Sequence, residues 1–295
     1  MKVAPMQAGV LQAGSNSAPE HPARYQSRWV AGSMVGDGYR LESLISVGSI
    51  TDVWRAQTQS GSKLAIKTLK SDVVGRPDAA AVIRHEYAVL AKLQHPNIVA
   101  LDGLIDNKAD VALVLRYLDG GDLVSLAGFH PRHWIGATCD LAVALAFMHE
   151  RRFVHRDIKA RNVLFDSQDT ASLIDFGSAA RIDTIRTASG MTAAHRRNWL
   201  LDHPANVEDD MFAFAVLLYE LMSGRLPHGP APSSSTQARE PGLPLGGEPP
   251  GDTELAALQD LVLLALSPSA DDSILSLSRF LNVIKSLHRR YASES

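Results

Sequence analysis

The sequence predicts an α+β fold in two lobes: a small antiparallel-sheet N-lobe with one main helix, then a larger, mostly helical C-lobe. Three observations point there. Short runs rich in Val, Ile, Leu, Tyr and Trp, parted by Gly- and Ser-bearing loops, crowd between residues 39 and 118. One stretch of helical spacing interrupts them, and beyond residue 119 the spacing is almost wholly helical. A cleft between two such lobes is the natural ligand site.

Residues 1–36 are rich in Ala, Ser, Gln, Gly and Pro without any period, which predicts a disordered arm. Residues 39–45, 51–56 and 63–69 read as three strands. The stretch AAAVIRHEYAVLAKL, residues 79–93, sets Val82, Tyr87 (or Glu86), Val89, Leu90 and Leu93 at helical spacing. Strands follow at 98–105 and 110–118, joined by DNKAD. Helices are expected at 135–150, 207–223, 253–265 and 273–287. Between the second and third of these lies PHGPAPSSSTQAREPGLPLGGEPPG, residues 227–251, in which 12 of 25 residues are Pro or Gly, so it reads as a loop or tether. The folded domain is therefore expected over 37–290, with the N-lobe at 37–118, the C-lobe at 119–290 and a tail at 291–295.

A chain of 295 residues with 45% hydrophobic content can bury a sizeable core. Its net charge of −3 provides no global basic field, which argues against nucleic acid as a partner. The single cysteine, Cys139, excludes a disulfide framework and reads as a buried reduced thiol. No charge-free apolar run approaches the length of a membrane span, and the first residues lack the pattern of a secretory signal. A reducing cytoplasmic setting fits, and delivery into another cell fits equally. His195, His203 and His228 have no cysteine or tight carboxylate cluster beside them, so they read as ordinary surface or core histidines and not as a zinc site.

Four separated elements carry chemistry. A strand ends in LAIK with Lys67, and Glu86 follows on the helix 19 residues later. Then comes HRDIKARN with Asp157, Lys159 and Asn162, and IDFG brings Asp175 a further 18 residues past Asp157. Taken singly, Lys67 reads as a surface strand lysine and Glu86 as the wet side of a helix. In this order they form the inventory of phosphoryl transfer. A lysine neutralises the non-transferred phosphates and a carboxylate holds that lysine. Oxygen ligands coordinate Mg2+ (or Mn2+), and another carboxylate orients the attacking hydroxyl.

These motifs, together with HPNIV (residues 95–99), LRYLDGGDL (115–123) and DMFAFAVLLYELMSGRLPH (210–228), resemble the eukaryotic-type Ser/Thr protein kinases over residues 39–289. The resemblance implies a kinase fold, ATP and Mg2+ as cofactors, and a protein substrate with a Ser or Thr acceptor. It makes Lys67 the phosphate lysine, Glu86 its partner, Asp157 the hydroxyl-orienting residue, and Asn162 and Asp175 the metal ligands. Lys159 occupies the place of the catalytic-loop lysine typical of the Ser/Thr branch. The resemblance implies that Val53, Ala65 and Leu164 sandwich the adenine, with Leu115 behind it and Tyr117 also at the nucleotide. Leu90, His155 and Phe176 would stack in the spine that joins the lobes, and Asp210 would brace the catalytic loop.

The pattern breaks in two places. The family's phosphate loop, G-x-G-x-x-G-x-V, appears as Ser46, Gly48, Thr51 and Val53, so only the middle glycine remains; small hydroxyl side chains there leave the expectation of weaker or slower nucleotide use. The second break is at GMTAAHRRN, residues 190–198, which stands where the family has Gly-Thr-x-x-Tyr-x-Ala-Pro-Glu. Asn198 replaces a glutamate, and LSPSADDSI lacks the arginine that would pair with it. Losing one member of a buried pair costs roughly 3–5 kcal/mol, whereas losing both is coherent. Met191 also stands where a threonine would touch Lys159. These changes predict a remodelled substrate platform, with residues 227–251 close by.

Two rival readings remain at this point: a pseudokinase scaffold that binds a partner protein, and a small-molecule phosphotransferase. The intact Lys67, Glu86, Asp157, Asn162 and Asp175 set opposes the first, and the DFG form with Lys159 opposes the second. Arg156, if buried beside Asp157, is expected to await a phosphate on Thr184, Thr187, Ser189 or Thr192, unless Asp183 supplies a permanent negative charge. A regulatory partner is expected, if anywhere, through the N-terminal arm or residues 227–251.

Overall fold

The computed structural model describes residues 28–107, 110–184, 204–227, 253–267 and 276–294. The N-lobe strands are β1 (Met34–Val35), β2 (Tyr39–Val47), β3 (Thr51–Gln57), β4 (Lys63–Leu69), β5 (Leu101–Asp106) and β6 (Val111–Arg116). They form one sheet in the order β1-β2-β3-β4-β6-β5, antiparallel throughout. Helix α1 (Pro77–Leu90) connects β4 to β5, with a proline in its first turn, where a fixed φ suits the helix and no N–H is missed. Alternation along the strands gives the sheet two apolar faces. Leu41, Trp54, Ala56, Leu64, Ile66, Ala112 and Val114 form a small core on one side. Leu113 and Leu115 join Ile83, Val89 and Leu90 of α1 on the other, in a core continuous with the C-lobe.

The folded region begins earlier than residue 37. β1 pairs with the start of β2, Val35 is fully buried, and Trp29 packs on the small core. Arg28 also pairs with Asp110 at 2.7 Å. Residues 28–36 carry no period because Trp29 and Val35 anchor them singly, covering a sheet face that would otherwise expose Trp54 and Ile66. The fourth expected strand is also shorter, starting at Leu101. Residues 97–99 pair with the C-lobe instead: Val99 N donates to Leu173 O (3.0 Å) and Leu173 N to Asn97 O (2.9 Å).

The C-lobe is built on α2 (Ile135–Glu150), α3 (Val207–Ser223), α4 (Thr253–Leu266) and α5 (Leu277–Ser293). α5 runs to Ser293 because Tyr291 still packs on the core, edge-on to His130 with ring centroids 5.6 Å apart. α3 is apolar on nearly every side, as a central helix must be. Asn206 caps it by accepting from Asp209 N (3.1 Å), acidic residues fill its first turn, and Gly224 closes it at φ 70°. Two short antiparallel pairs follow α2: β7 (Phe153–Val154) with β10 (Ala180–Arg181), and, between them in the chain, the hairpin of β8 (Val163–Phe165) and β9 (Ala171–Leu173). The chain crossing between the lobes is pinned to β8: Gly120 N donates to Phe165 O at 2.8 Å. A Cβ at Gly120 would lie 2.7 Å from that of Phe165, so only glycine allows this approach. No described helix is long and apolar enough to cross a membrane.

A chain beginning at Asp37 should therefore be less stable than one beginning at Arg28, by about 2 kcal/mol or more from the re-exposure of Val35 and Trp29 contacts. Denaturant unfolding of the two chains measures this; equal midpoints would show that the N-terminal segment adds nothing.

Candidate active site

The sheet register lines up the nucleotide-facing candidates. Ser46 pairs with Val53 and Val53 with Lys67, so these three residues lie in a row across β2, β3 and β4 on one face. Ala65, two residues before Lys67, shares that face and pairs with Leu115. Ser46 and Gly48 are exposed, while Thr51 is buried under the turn. Gly48 N donates to Thr51 O at 2.7 Å, and a Cβ on Gly48 would sit 2.8 Å from that oxygen. The one retained glycine is thus the position where the turn has no room for a side chain. Leu164, half-buried on β8, lies beneath the interlobe crossing through its bridge to Asp122. Tyr117 lies near Arg55 of β3, whose Nε donates to Glu42 Oε2 at 2.8 Å.

Lys67 Nζ lies 2.7 Å from Glu86 Oε2 and 2.8 Å from Asp175 Oδ1. Burial alone would lower the Lys67 pKa, but the two carboxylates outweigh it and hold the amine well above its usual value. Burial pushes the Glu86 carboxyl up, against the pull of Lys67. Asp175 stays below the usual carboxylate range; burial acts against this, and Lys67's charge and hydrogen bond override it. Glu86 also accepts from Phe176 N through Oε1 (3.2 Å), so one carboxylate joins β4, α1 and the Asp175 loop. Asp175 takes a left-handed φ of 63° and keeps 42% of its side chain open. It therefore faces the cleft while holding Lys67.

The other half of the site is the loop after β7. Asp157 is 4% exposed; its Oδ2 accepts from Lys159 Nζ (2.6 Å) and Asn162 Nδ2 (3.0 Å). Its Oδ1 is buried with no hydrogen-bond partner among the described residues. Burial raises the Asp157 pKa, partly offset by Lys159. Asn162 Nδ2 donates to Asp157 O as well (2.8 Å), which leaves the amide oxygen of Asn162 as its ligating atom. His155 fixes the next layer. Its Nε2 donates to Ile174 O (3.1 Å), Nδ1 accepts from Asp157 N (3.3 Å), and its ring meets Phe176 edge-on at 4.8 Å. A carbonyl can only accept, so the proton sits on Nε2.

Beneath this loop Asp210 is fully buried at the first turn of α3. It accepts from His155 N (2.9 and 3.1 Å), Arg156 N (2.8 Å) and His149 Nε2 (2.9 Å). Burial would raise its pKa, but the His149 bond and charge lead a set of donors that brings it below the usual range. Arg156, at φ 66° and 1% exposed, has its Nε 3.4 Å from Asp209 Oδ2. Asp183 was the sequence candidate for a permanent counter-charge to Arg156. It pairs instead with Arg152 on the surface, because β10 runs antiparallel to β7 and carries the chain away from residue 156 toward residue 152. Of the four expected phosphate acceptors only Thr184 is among the described residues, and its hydroxyl donates to Arg181 O (2.6 Å). Thr187, Ser189, Met191, Thr192 and the 190–198 stretch lie outside the described residues, as do residues 228–252 and most of LSPSADDSI.

The structure brings Lys67, Glu86, Asp157, Lys159, Asn162 and Asp175 into one linked cluster facing the cleft. The sequence reading missed His149 and Asp209. His149 stands beside Glu150 at the end of α2 and Asp209 is one of three adjacent acids opening α3, so neither stands out in the sequence until a buried Asp210 and Arg156 are expected.

A sequence profile described as "protein kinase domain" matches residues 39–241. The chain belongs to the protein kinase family. It is 31% identical over 205 residues to CBL-interacting protein kinase 4 of Oryza sativa, covering 64% of this chain and 45% of that protein. It is 30% identical over 235 residues to serine/threonine-protein kinase PkaB of Streptomyces coelicolor, covering 73% of this chain and 56% of that one. The serine/threonine-protein kinase CTR1 of Arabidopsis thaliana is 30% identical over 203 residues, 64% of this chain and 24% of the relative. The kinase domain thus spans about half, or less, of the length of these curated relatives.

Asp210→Asn should cost about 3 kcal/mol or more in urea unfolding at pH 7, since an amide N–H would face backbone donors in a buried site. A depressed carboxylate contributes stability that is complete above its unfolded pKa and lost as pH falls through the lower folded value. The gap between wild type and variant should therefore hold down to about pH 3.9 and close only below it. A gap already closed at pH 6 would remove Asp210 from this role.

Proposed function

We propose that this chain is a Ser/Thr protein kinase that transfers the γ-phosphate of ATP to protein hydroxyls, its own among them. The observation that carries the reading is the Lys67 amine held between Glu86 and Asp175, at 2.7 and 2.8 Å. The same cleft holds the buried Asp157 Oδ1, which has no described partner.

The residues fit the groups that the family implies. Asp175 and Asn162 offer hard oxygen ligands, and magnesium (or manganese) accepts one or two such ligands with phosphates and water completing its shell. Bound there, the ion supplies neutralisation of charge on the phosphate oxygens. Lys67 adds a fixed positive charge, kept protonated by its two carboxylates. Val53, Ala65 and Leu164 would enclose the adenine, with Leu115 behind and Tyr117 alongside. Asp157 orients the attacking hydroxyl through Oδ1 and takes up its proton, while Lys159 holds Oδ2 in place. PkaB and CTR1 are serine/threonine-protein kinases, and this likeness favours Ser and Thr as acceptors. We place the reaction in the cytoplasm, and residues 1–36 and 227–251 are the proposed seats for a regulatory partner.

Labelled ATP with a panel of generic substrates tests the reading. Wild type should transfer label, and Asp157→Ala should lose it by about 100-fold or more. Equal label on both would sink the catalytic assignment, and no label on the wild type would favour a scaffold that binds a partner. Complete dephosphorylation should leave partial activity, because Arg156 keeps Asp209 as a resident counter-charge. Total loss, checked against phosphosites mapped by mass spectrometry, would show that Asp209 is not enough.

A further inference from the structure

Helix α1 carries Glu86 and packs Ala79, Ile83, Val89 and Leu90 into the core, but few of its polar contacts reach the Asp175 loop. Its N-terminus has no side-chain cap at Arg76, and Arg84 and Arg76 hold only surface carboxylates. Glu86 points toward Lys67 and Phe176 N. The preceding residue, His85, is half-buried, and its Nε2 lies 2.8 Å from Ala179 O. Ala179 is fully buried just past the Asp175-Phe176-Gly177 turn, where the chain enters β10. The carbonyl can only accept, so His85 is the donor in this bond through an Nε2-bound proton.

We infer that His85 is a positioning residue for phosphoryl transfer: it latches α1 to Ala179 so that Glu86 stays turned toward Lys67. Consecutive helical residues project about 100° apart. The apolar face of α1 sets its coarse orientation, while Glu86 by itself ties the helix to the Asp175 loop in the direction of one side chain only. A second bond from the neighbouring residue, to a different point of the same loop, opposes rotation about the helix axis in both senses. The loop gains as well, since Phe176 N and Ala179 O are held by adjacent residues of one helix. The latch acts on Glu86 and the loop and touches no reacting atom. It rests on the kinase reading for its catalytic consequence, but not for its structural one.

Two measurements on the full chain test this. The first is steady-state kinetics in ATP for wild type, His85→Ala and His85→Gln, the glutamine amide placing a donor near the position of Nε2. The second is hydrogen exchange of the Phe176 amide, read without nucleotide. Loss of one hydrogen bond should raise KM for ATP roughly three- to tenfold in His85→Ala with a smaller change in kcat, and should speed Phe176 exchange by a similar factor. His85→Gln should restore both. If the alanine variant does not fold, His85→Leu keeps apolar volume without a donor and should show the same defects. Unchanged exchange and KM in the donor-less variant, or a glutamine variant as impaired as alanine, would overturn the latch. A wild type that transfers no phosphate would overturn the kinase reading, and Phe176 exchange would then decide the latch alone.

Discussion

The buried carboxylate of Asp210 is the constraint on which the site depends. An isolated charge so placed would cost several kcal/mol, and it is tolerated because backbone N–H groups and His149 surround it. Those same bonds decide the path of the loop above. Arg156 sits at φ 66°, a conformation that costs a non-glycine residue on the order of 1–3 kcal/mol. The bonds from Asp210 to residues 155 and 156 hold it there, and that turn aims Asp157 into the cleft. From Asp157 the connection runs through Asn162 to Ile174, whose N–H donates to Asn162 O at 2.9 Å. Asp175 follows, with Lys67 and Glu86 beyond it. Reactive groups from both lobes are thus referred back to the first turn of one helix.

Much of this was legible in the sequence, for a specific reason. Asp157, Lys159 and Asn162 lie within one short loop, and Lys67, Glu86 and Asp175 occupy fixed places in recognisable elements, so spacing alone set their order. Strand and helix spans followed from period, and α2 and α3 agree with their expected limits. Contacts made by single residues at long range were not legible. Trp29 and Val35 cover a sheet face from a stretch with no pattern, and residues 97–99 leave the N-lobe sheet to pair with β9. Asp183 is the acid that the sequence offers to balance Arg156, yet it pairs with Arg152 while Asp209 lies beside Arg156, an exchange set by tertiary approach that no composition signal encodes.

The phosphate-loop region shows what remains when glycines are replaced. Gly48 closes a turn against Thr51, and Lys70 Nζ reaches Gly48 O at 3.3 Å from the end of β4. Lys70 N also donates to Ile50 O at 3.0 Å. The loop is therefore tied to the strand that bears Lys67. Its tip gains order from these bonds, while Ser46 keeps its hydroxyl on the row shared with Val53 and Lys67.

The pairing of residues 97–99 with β9 bears on how the two lobes can move. The lobes are joined by the crossing that includes Gly120 and by this backbone ladder, which Asn97 Nδ2 extends to Ala171 O at 2.9 Å. An opening motion that breaks neither must turn about a line through both, which acts as a hinge axis. Helix α1 ends just ahead of residues 91–97, so its C-terminal end is joined through a few residues to that ladder, whereas its Pro77 end follows β4 of the sheet.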